Sequence, residues 1–393
     1  MWQGWIGIVL LLILGERLLK YLLVRRFFAR SLPVSQRGKT AMISILQPIL
    51  SGDPTLWHCL ARNLSAQSNY EREFLWLVDE NDPVAIEGCQ QLIDHHPTIN
   101  VRMLIYPPPP NGVNPKTFKL IAGLRQATGE WVAVLDDDTM LPDQAWEQAL
   151  PYLEQPGVGL VFGLPYYVNF SNRWSALVAA FVNGFSLLTY VPYTFVHEPL
   201  TINGMFYLLK RSTLDAIGGF VGLETQLCDD YAVAQHLRTH GYQIVQTPLR
   251  HAISTQVGDW RHYLRIMTRW LIFPQVSVMR SAAWGEQWLF YLFAFVPTFV
   301  PLLLLILTLL QPTGIMLSIL LGYCALSGTI AWDLNRRYLQ RATPAWALPL
   351  LVLMYFLLPL HTLWALLAPR RINWRGHIMA VQKDGGFSFV ERR

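Results

Sequence analysis

Apolar residues follow two regimes along this chain. Close to the N-terminus, and again beyond residue 285, they run almost unbroken over about 20 residues at a time, enough for a helix to cross a lipid bilayer. From about 41 to 250 they come instead in short bursts, at 42–46, 74–78, 101–105, 131–135 and 158–162, with the length of buried strands. Stretches with helical spacing of apolar positions, such as 56–67, 84–95 and 116–127, separate the bursts. Strand and helix in alternation predict an α/β domain over 40–255 with a largely parallel sheet. In such sheets ligands bind beyond the carboxyl ends of the strands.

Residues 1–24 read as a membrane anchor, with Glu16, Arg17 and Lys20 in its last third, where long side chains reach the interface. Arg25, Arg26, Arg30, Arg37 and Lys39 follow, and positive charge flanking a first span marks the cytoplasmic side. That rule predicts a cytosolic α/β domain. The C-terminal membrane segments, 285–368, divide into 288–310 and 314–332, joined by Gln311, Pro312 and Thr313, and a last stretch at 344–368. The tail at 369–393 is basic again, through Arg370, Arg371, Arg375, Lys383, Arg392 and Arg393. Three crossings would put this tail outside the cell. A re-entrant last segment, bent at Pro349 and Pro359, would keep it inside.

Two further stretches are amphipathic. Within 256–284, Trp260, Tyr263, Leu264, Met267 and Leu271 share one helical face, with Arg261, Arg265 and Arg269 toward the other; this is the pattern of a helix in the membrane interface. Within 174–191, Trp174, Leu177, Val178, Phe181, Val182, Phe185 and Leu188 keep helical spacing, interrupted by Ser175, Asn183, Ser186 and Thr189. This stretch fits either a span or an interfacial helix.

Composition agrees with a membrane protein that carries a water-facing domain. Charged residues make up 15% of the 393 positions and hydrophobic ones 52%, against about 25% charged in average soluble domains. On that ground a membrane protein with a water-facing part is a better expectation than disorder, a coiled coil or a purely soluble enzyme. The net charge of +5 comes from Lys and Arg beside apolar segments, which suits an anionic membrane surface and not nucleic acid. Cys59, Cys89, Cys228 and Cys324 have no CxxC or Cys/His spacing, so neither a zinc site nor a disulfide framework is predicted.

The candidate chemistry sits at strand ends. Asp79, Glu80 and Asp82 follow one apolar burst, and Asp136, Asp137 and Asp138 follow another. Three consecutive aspartates repel one another, and a divalent cation is their natural partner, since Mg²⁺ takes one or two carboxylates and shares the rest with phosphate and water. Asp229 and Asp230 form a third acidic pair at a helix start, where they complement the helix dipole or supply a base beside a metal–phosphate site. Arg269, at the end of the amphipathic helix, has the geometry to grip a phosphate.

In order, the stretches Ile45–Pro54, Val78–Pro83, Gly112–Lys116, Leu135–Asp138, Cys228–Tyr231, Arg269–Trp270 and Asn373–Gly376 resemble the family 2/21-type membrane glycosyltransferases. The resemblance is to ceramide glucosyltransferases and related bacterial hopanoid-associated enzymes, and it covers nearly the whole chain. It departs from the family at Gln47, where Lys is frequent; at Ile266, where Gln, Arg or His usually precedes the closing Arg by three residues; and at Cys228-Asp229, in place of Glu-Asp. The resemblance implies a GT-A nucleotide-diphospho-sugar transferase domain. It would invert the sugar while moving a hexose, glucose above others, from a UDP-sugar to the hydroxyl of a ceramide-like lipid. Asp79 would help hold the uridine diphosphate. Asp136 and Asp138 would work with Mg²⁺ or Mn²⁺, and Asp230 would be the base. Arg269 and Trp270 would close the site, and Lys116 would contact the donor phosphate or sugar.

One site needs Asp79, Asp136 and Asp230 on one side of the membrane. Residues 174–191 are therefore expected to lie in the interface or re-enter, near where a lipid acceptor arrives, and the sequons at Asn63 and Asn169 to stay unmodified. The expected partners are a UDP-sugar, a lipid acceptor and the bilayer, with no nucleic acid, in a multi-pass protein of a bacterial cell membrane rather than of the ER or Golgi. The rivals are a processive polysaccharide synthase, for which the C-terminal segments make a poor channel, and a polyprenyl-phosphate glycosyltransferase. A lipid transporter or scaffold is the non-catalytic alternative; His361 is the one ionisable candidate it has in the last segment.

Overall fold

The computed structural model describes residues 2–35, 41–374, 376–382 and 385–391, with side chains from residue 13 onward. Arg37 and Lys39 of the first basic cluster, and Arg375, Lys383, Arg392 and Arg393 of the tail, lie outside the described residues. After helix α1 (Trp2–Phe28) the chain alternates β1 (Ile43–Pro48), α2 (Leu56–Ser65), β2 (Arg72–Asp79), α3 (Pro83–His95), β3 (Val101–Tyr106), α4 (Pro115–Gln126) and β4 (Trp131–Leu135). The helices begin where the sequence supplies caps. The Asp82 carboxylate accepts from the Ala85 N–H ahead of α3, and the Asn114 side chain accepts from the N–H groups of Lys116 and Thr117 ahead of α4, each with proline at the first helical position.

The second half of the domain departs from simple alternation. It adds β5 (Thr139–Met140), α5 (Ala145–Leu153), β6 (Val158–Tyr167), α6 (Arg173–Tyr193), β7 (Phe206–Lys210), α7 (Arg211–Ile217), α8 (Asp229–Thr239) and β8 (Gln243–Ile253). The eight strands form one sheet in the order β3-β2-β1-β4-β7-β6-β8-β5. The first four are parallel, but β7 runs antiparallel to both β4 and β6, and β5 antiparallel to β8. The expected largely parallel sheet is thus mixed. Alternate side chains of the central strands feed two layers. Ile43, Ile45, Phe74, Trp76, Trp131 and Ala133 pack under α2, α3 and α5, whereas Leu46, Leu75, Leu77, Val132 and Val134 pack under α4, α7 and α8. Burial on both faces explains why these strands read as continuous apolar runs.

Among the described residues, four helical segments, Arg173–Tyr193, Trp284–Leu310, Gly314–Arg337 and Ala345–Leu367, are long and apolar enough to cross a membrane. The chain that passes through the first of them comes back to the sheet it leaves: this helix links β6 to β7, which are hydrogen-bonded neighbours with Leu160 opposite Leu209. Most of its apolar stretch is buried, against Tyr167, Ile253 and Val257 of the domain and against two helices that follow. These are α9 (Trp260–Val276), capped by the Asp259 carboxylate on the His262 N–H, and the later α14 (Leu348–Leu367).

Between them lie α10 (Val278–Ser281), α11 (Trp284–Phe290), a π-helical turn (Tyr291–Phe295), α12 (Val296–Leu310) and α13 (Gly314–Arg337). The hairpin of α12 and α13 is rooted on the domain at both ends. Arg238 of α8 pairs with Glu286 at the start of α11, and Arg250 of β8 donates to the carbonyl of Tyr338 just past α13 (2.8 Å). The last apolar segment is held to the domain at both ends as well. Thr343 is bonded to Asn183 of α6 and Asn335 of α13, while Ala365, at the far end of α14, packs with Leu227, Ile272 and Val276. Beyond it, the stretch that reads as a basic tail forms a three-stranded antiparallel sheet, β9 (Arg371–Trp374), β10 (His377–Val381) and β11 (Phe387–Glu391).

The charges of α1 differ from expectation. Arg17 and Lys20 do not reach for the interface; they are buried. The Arg17 guanidinium donates to the Tyr323 hydroxyl and lies 4.1 Å from the centre of the Tyr355 ring. Lys20 pairs with Glu16 and donates to the Phe293 carbonyl inside the π-helical turn (2.7 Å). A wide turn of this kind leaves carbonyls without their usual partners, and a lysine from α1 fills one of them.

Candidate active site

The carboxyl ends of β1, β2 and β4 open onto one edge of the sheet, and the acids gather there. Because β7 is antiparallel to β4, its N-terminal end, and Gly204 and Met205 before it, lie beside Asp136; the Asp136 N–H donates to the Met205 carbonyl (2.9 Å). Helix α4 delivers Lys116 and helix α8 delivers Asp229 and Asp230 to the same place. The Lys116 ammonium stands 2.7 Å from Asp136 and 3.3 Å from Asp229, and donates to the Gly204 carbonyl at 2.9 Å. The Asp230 carboxylate accepts from the Gly204 N–H (3.2 Å). A Cβ on Gly204 would collide with that carboxylate and force it aside.

The electrostatics follow from this geometry. Burial works against the Lys116 ammonium, but Asp136, then Asp229 and Asp230, outweigh it and hold its pKa well above the usual lysine value. Burial, and next the adjacent Asp229, push the Asp230 carboxyl up to about 8. Tyr167, at the end of β6, is shifted upward as well, by burial and then by Asp138.

Asp138 follows two residues on. It accepts from the Thr255 hydroxyl (2.9 Å), and Asp53 in turn holds the Thr255 segment by accepting from the Gln256 N–H (3.0 Å). Trp270 lies edge-on to Tyr167, with ring centres 6.1 Å apart, and stacks on Phe181 of α6 at 5.8 Å. It therefore joins the site to the layer of α6 and α9, and Arg269 acts electrostatically on the same tyrosine. Asp79 stands apart from this cluster, two strands away at the end of β2, paired with Lys119 at 3.0 Å. Two strand spacings are about 10 Å, enough for the length between a nucleoside and its diphosphate. One Asp79 oxygen is buried without a hydrogen-bond partner.

Other acids in the motifs are structural. Asp137 accepts from the Leu50 N–H, and Asp82 from Ser51 as well as its own helix. Gln47, at a position where a lysine is frequent, binds Trp76 and the Asp136 carbonyl and so ties β1 to β2 and β4. Ile266 packs among α6 and α14, where a polar residue would be misplaced. The buried Asn63 donates to the Thr139 carbonyl and accepts from the Leu141 N–H. Sequence reasoning passed over Lys119, Gly204, Thr255 and Tyr167, none of which carries a local signal, and took Asn114 only as part of the Gly112–Lys116 stretch.

Asp136 and Asp138 offer hard oxygen donors at the end of one strand, and a positive charge already stands among these carboxylates. That set fits a divalent cation. Among the described residues no group of three or more His, Cys, Asp or Glu is placed to hold a metal alone, so the cation would take further oxygens from a diphosphate.

Known proteins share this fold. The chain resembles a mannosyltransferase from Pyrobaculum calidifontis, solved in complex with GDP-Man and Mn²⁺, with a TM-score of 0.51 at 17% identity over 91% of this chain and 98% of that one. At that identity the likeness concerns the fold, that of a nucleotide-sugar transferase of GT-A type. Ceramide glucosyltransferase 1 of Caenorhabditis elegans is 26% identical over 200 residues, 51% of this chain and 42% of the relative. Ceramide glucosyltransferase 3 of the same organism is 24% identical over 236 residues, 58% and 50%. The matches span about half the length of these relatives. The model of glycosyl transferase family 21 matches residues 8–387, and with nearly the whole length covered, the chain belongs to that family of glycosyltransferases.

Proposed function

We propose that this glycosyltransferase moves a hexose, glucose above others, from UDP to the hydroxyl of a membrane lipid of the ceramide type, inverting the anomeric carbon. The observation that carries the reading is the meeting of Asp230 with the Lys116–Asp136 cluster, on the edge of the domain that α6 and α9 connect to the apolar helices. Asp79, with its free oxygen, suits the nucleoside end of the donor. Asp136 and Asp138 would hold Mg²⁺ or Mn²⁺, which supplies charge to offset that growing on the departing diphosphate. Lys116 and Arg269 add fixed positive charge there. Asp230 takes the proton of the acceptor hydroxyl as the new bond forms, and the Gly204 N–H orients the carboxylate for it. Tyr190, exposed near the end of α6, lies within electrostatic reach of Asp230. The domain would face the cytosol of a bacterial cell.

The test incubates membranes holding the protein with labelled UDP-glucose, UDP-galactose and UDP-N-acetylglucosamine, and identifies labelled lipid by mass spectrometry, with Asp230→Asn as the blank. One hexose on a hydroxylated lipid, absent from the blank, supports the reading. Polymer, or label in the polyprenyl-phosphate fraction, would replace it with a rival of the same fold. Equal labelling by the blank would remove Asp230 from the chemistry.

A further inference from the structure

The C-terminal sheet of β9–β11 does not hang free. Its residues Ile372, Met379, Val381 and Phe387 are buried with Leu227 and with Ile272 and Val276 of α9. The carbonyl of Gly385 accepts from the Leu227 N–H (3.1 Å). The Phe387 carbonyl lies against Gly112, where an added Cβ would come to 3.6 Å of it. Leu227 stands three residues before Asp230, and Gly112 stands four before Lys116. The two loops are also tied to each other by Asn114, which is fully buried. Its amide donates to the carbonyls of Gln226 and Leu227, its N–H donates to the Glu224 carbonyl (2.7 Å), and its side-chain oxygen caps α4 at Lys116 and Thr117.

A contact on this pair of loops thus bears on the base and on the lysine together. The loops meet each other through Asn114, and the sheet packs on Leu227 of one and lies against Gly112 of the other. A misplacement of about 1 Å at a reacting group can cost up to about a hundredfold in rate. We propose that the C-terminal sheet is a positioning element of the active site: by packing on Leu227 and Gly112 it sets where Asp230 and Lys116 stand. The inference rests on the reading of Asp230 as the base. It gives Asn373 and Trp374, at the end of β9, a place in the reaction through the packing of their strand.

The experiment uses the full chain in lipid–detergent micelles, with glycolipid formation, donor KM and melting temperature measured for four variants. Met379→Ala opens the packing beneath Leu227, and Met379→Leu restores its volume. Phe387→Leu is a milder change in the same cluster. Leu64→Ala removes a similarly buried side chain in the opposite layer of the domain. At a temperature well below every melting point, Met379→Ala should lower kcat at least about tenfold with donor KM changed by less than about threefold. Met379→Leu should recover most of it, and Leu64→Ala should keep kcat within about twofold for a similar loss in melting temperature. Equal losses of kcat in Met379→Ala and Leu64→Ala, or unchanged kcat in Met379→Ala, would overturn the proposal. If Met379→Ala does not fold, Phe387→Leu decides in its place, and an unchanged kcat there overturns it. A wild-type protein that transfers no sugar would instead sink the reading of Asp230, and this inference with it.

Discussion

Asp230→Asn should abolish transfer and yet make the protein harder to unfold. In the folded chain the Asp230 carboxyl is pushed up to about 8, by burial first and Asp229 second; in the unfolded chain it ionises as any aspartate does. Between these two values folding binds a proton, so stability is present in full at acid pH and is lost as pH rises toward 8. Keeping a proton on an aspartate of ordinary pKa at pH 7 costs about 4 kcal/mol. An amide carries no such cost, and its oxygen still accepts from the Gly204 N–H. Relaxation around Lys116 and Asp229 reduces the gain, so it should be on the order of 2–4 kcal/mol at pH 7. The assay is thermal or denaturant unfolding of wild type and Asp230→Asn in the same detergent between pH 4 and 9, followed by intrinsic tryptophan fluorescence. The two proteins should coincide near pH 4, diverge in favour of the variant up to about pH 8, and run parallel above it. A gap that is absent, or that does not change between pH 5 and 8, would refute the reasoning that burial beside Asp229 strains this carboxylate. Because Asp230 must be ionised to take the acceptor's proton, turnover should fall as pH is lowered and Asp230 is protonated.

Further consequences follow from single contacts. Lys116→Met leaves Asp136, Asp229 and Asp230 without their shared counter-charge and should destabilise the fold by about 3–5 kcal/mol; added Mn²⁺ should recover part of the lost melting temperature. Gly204→Ala should lower kcat at least about tenfold while donor binding, measured by titration calorimetry, stays near wild type, because the added methyl displaces the Asp230 carboxylate. Thr255→Val removes the hydroxyl that orients Asp138 and should raise the cation concentration needed for half-maximal rate by about 10–100-fold. Asp79→Ala should weaken donor binding more than it lowers kcat, since Asp79 stands two strands away from the reacting cluster.

Local pattern was enough for much of the fold. The apolar bursts became β1 to β4 and β6 with boundaries within a few residues, except that β6 runs on to Tyr167, and the proline- and asparagine-capped helices began where their caps stand. The acids that matter were visible because three of them follow buried strands and two open a helix. What pattern could not supply is which acids turn inward. Of three consecutive aspartates, Asp137 bonds the Leu50 N–H and Asp136 meets Lys116, and only the pairing of β4 with β1 and β7 determines that.

The chain's own order of residues therefore determined the α/β domain, its apolar helices and the inventory of carboxylates, since periodicity and composition are local properties. Tertiary structure alone decided the rest. It ran β7 antiparallel and so set Gly204 against Asp230, it brought the chain through α6 back to the sheet it left, and it buried Arg17 and Lys20 among later helices. It also folded a basic tail into a sheet against the loops of the site. Each of these rests on contact between segments far apart in the chain, where the free energy comes from burial and pairing that no single segment makes by itself.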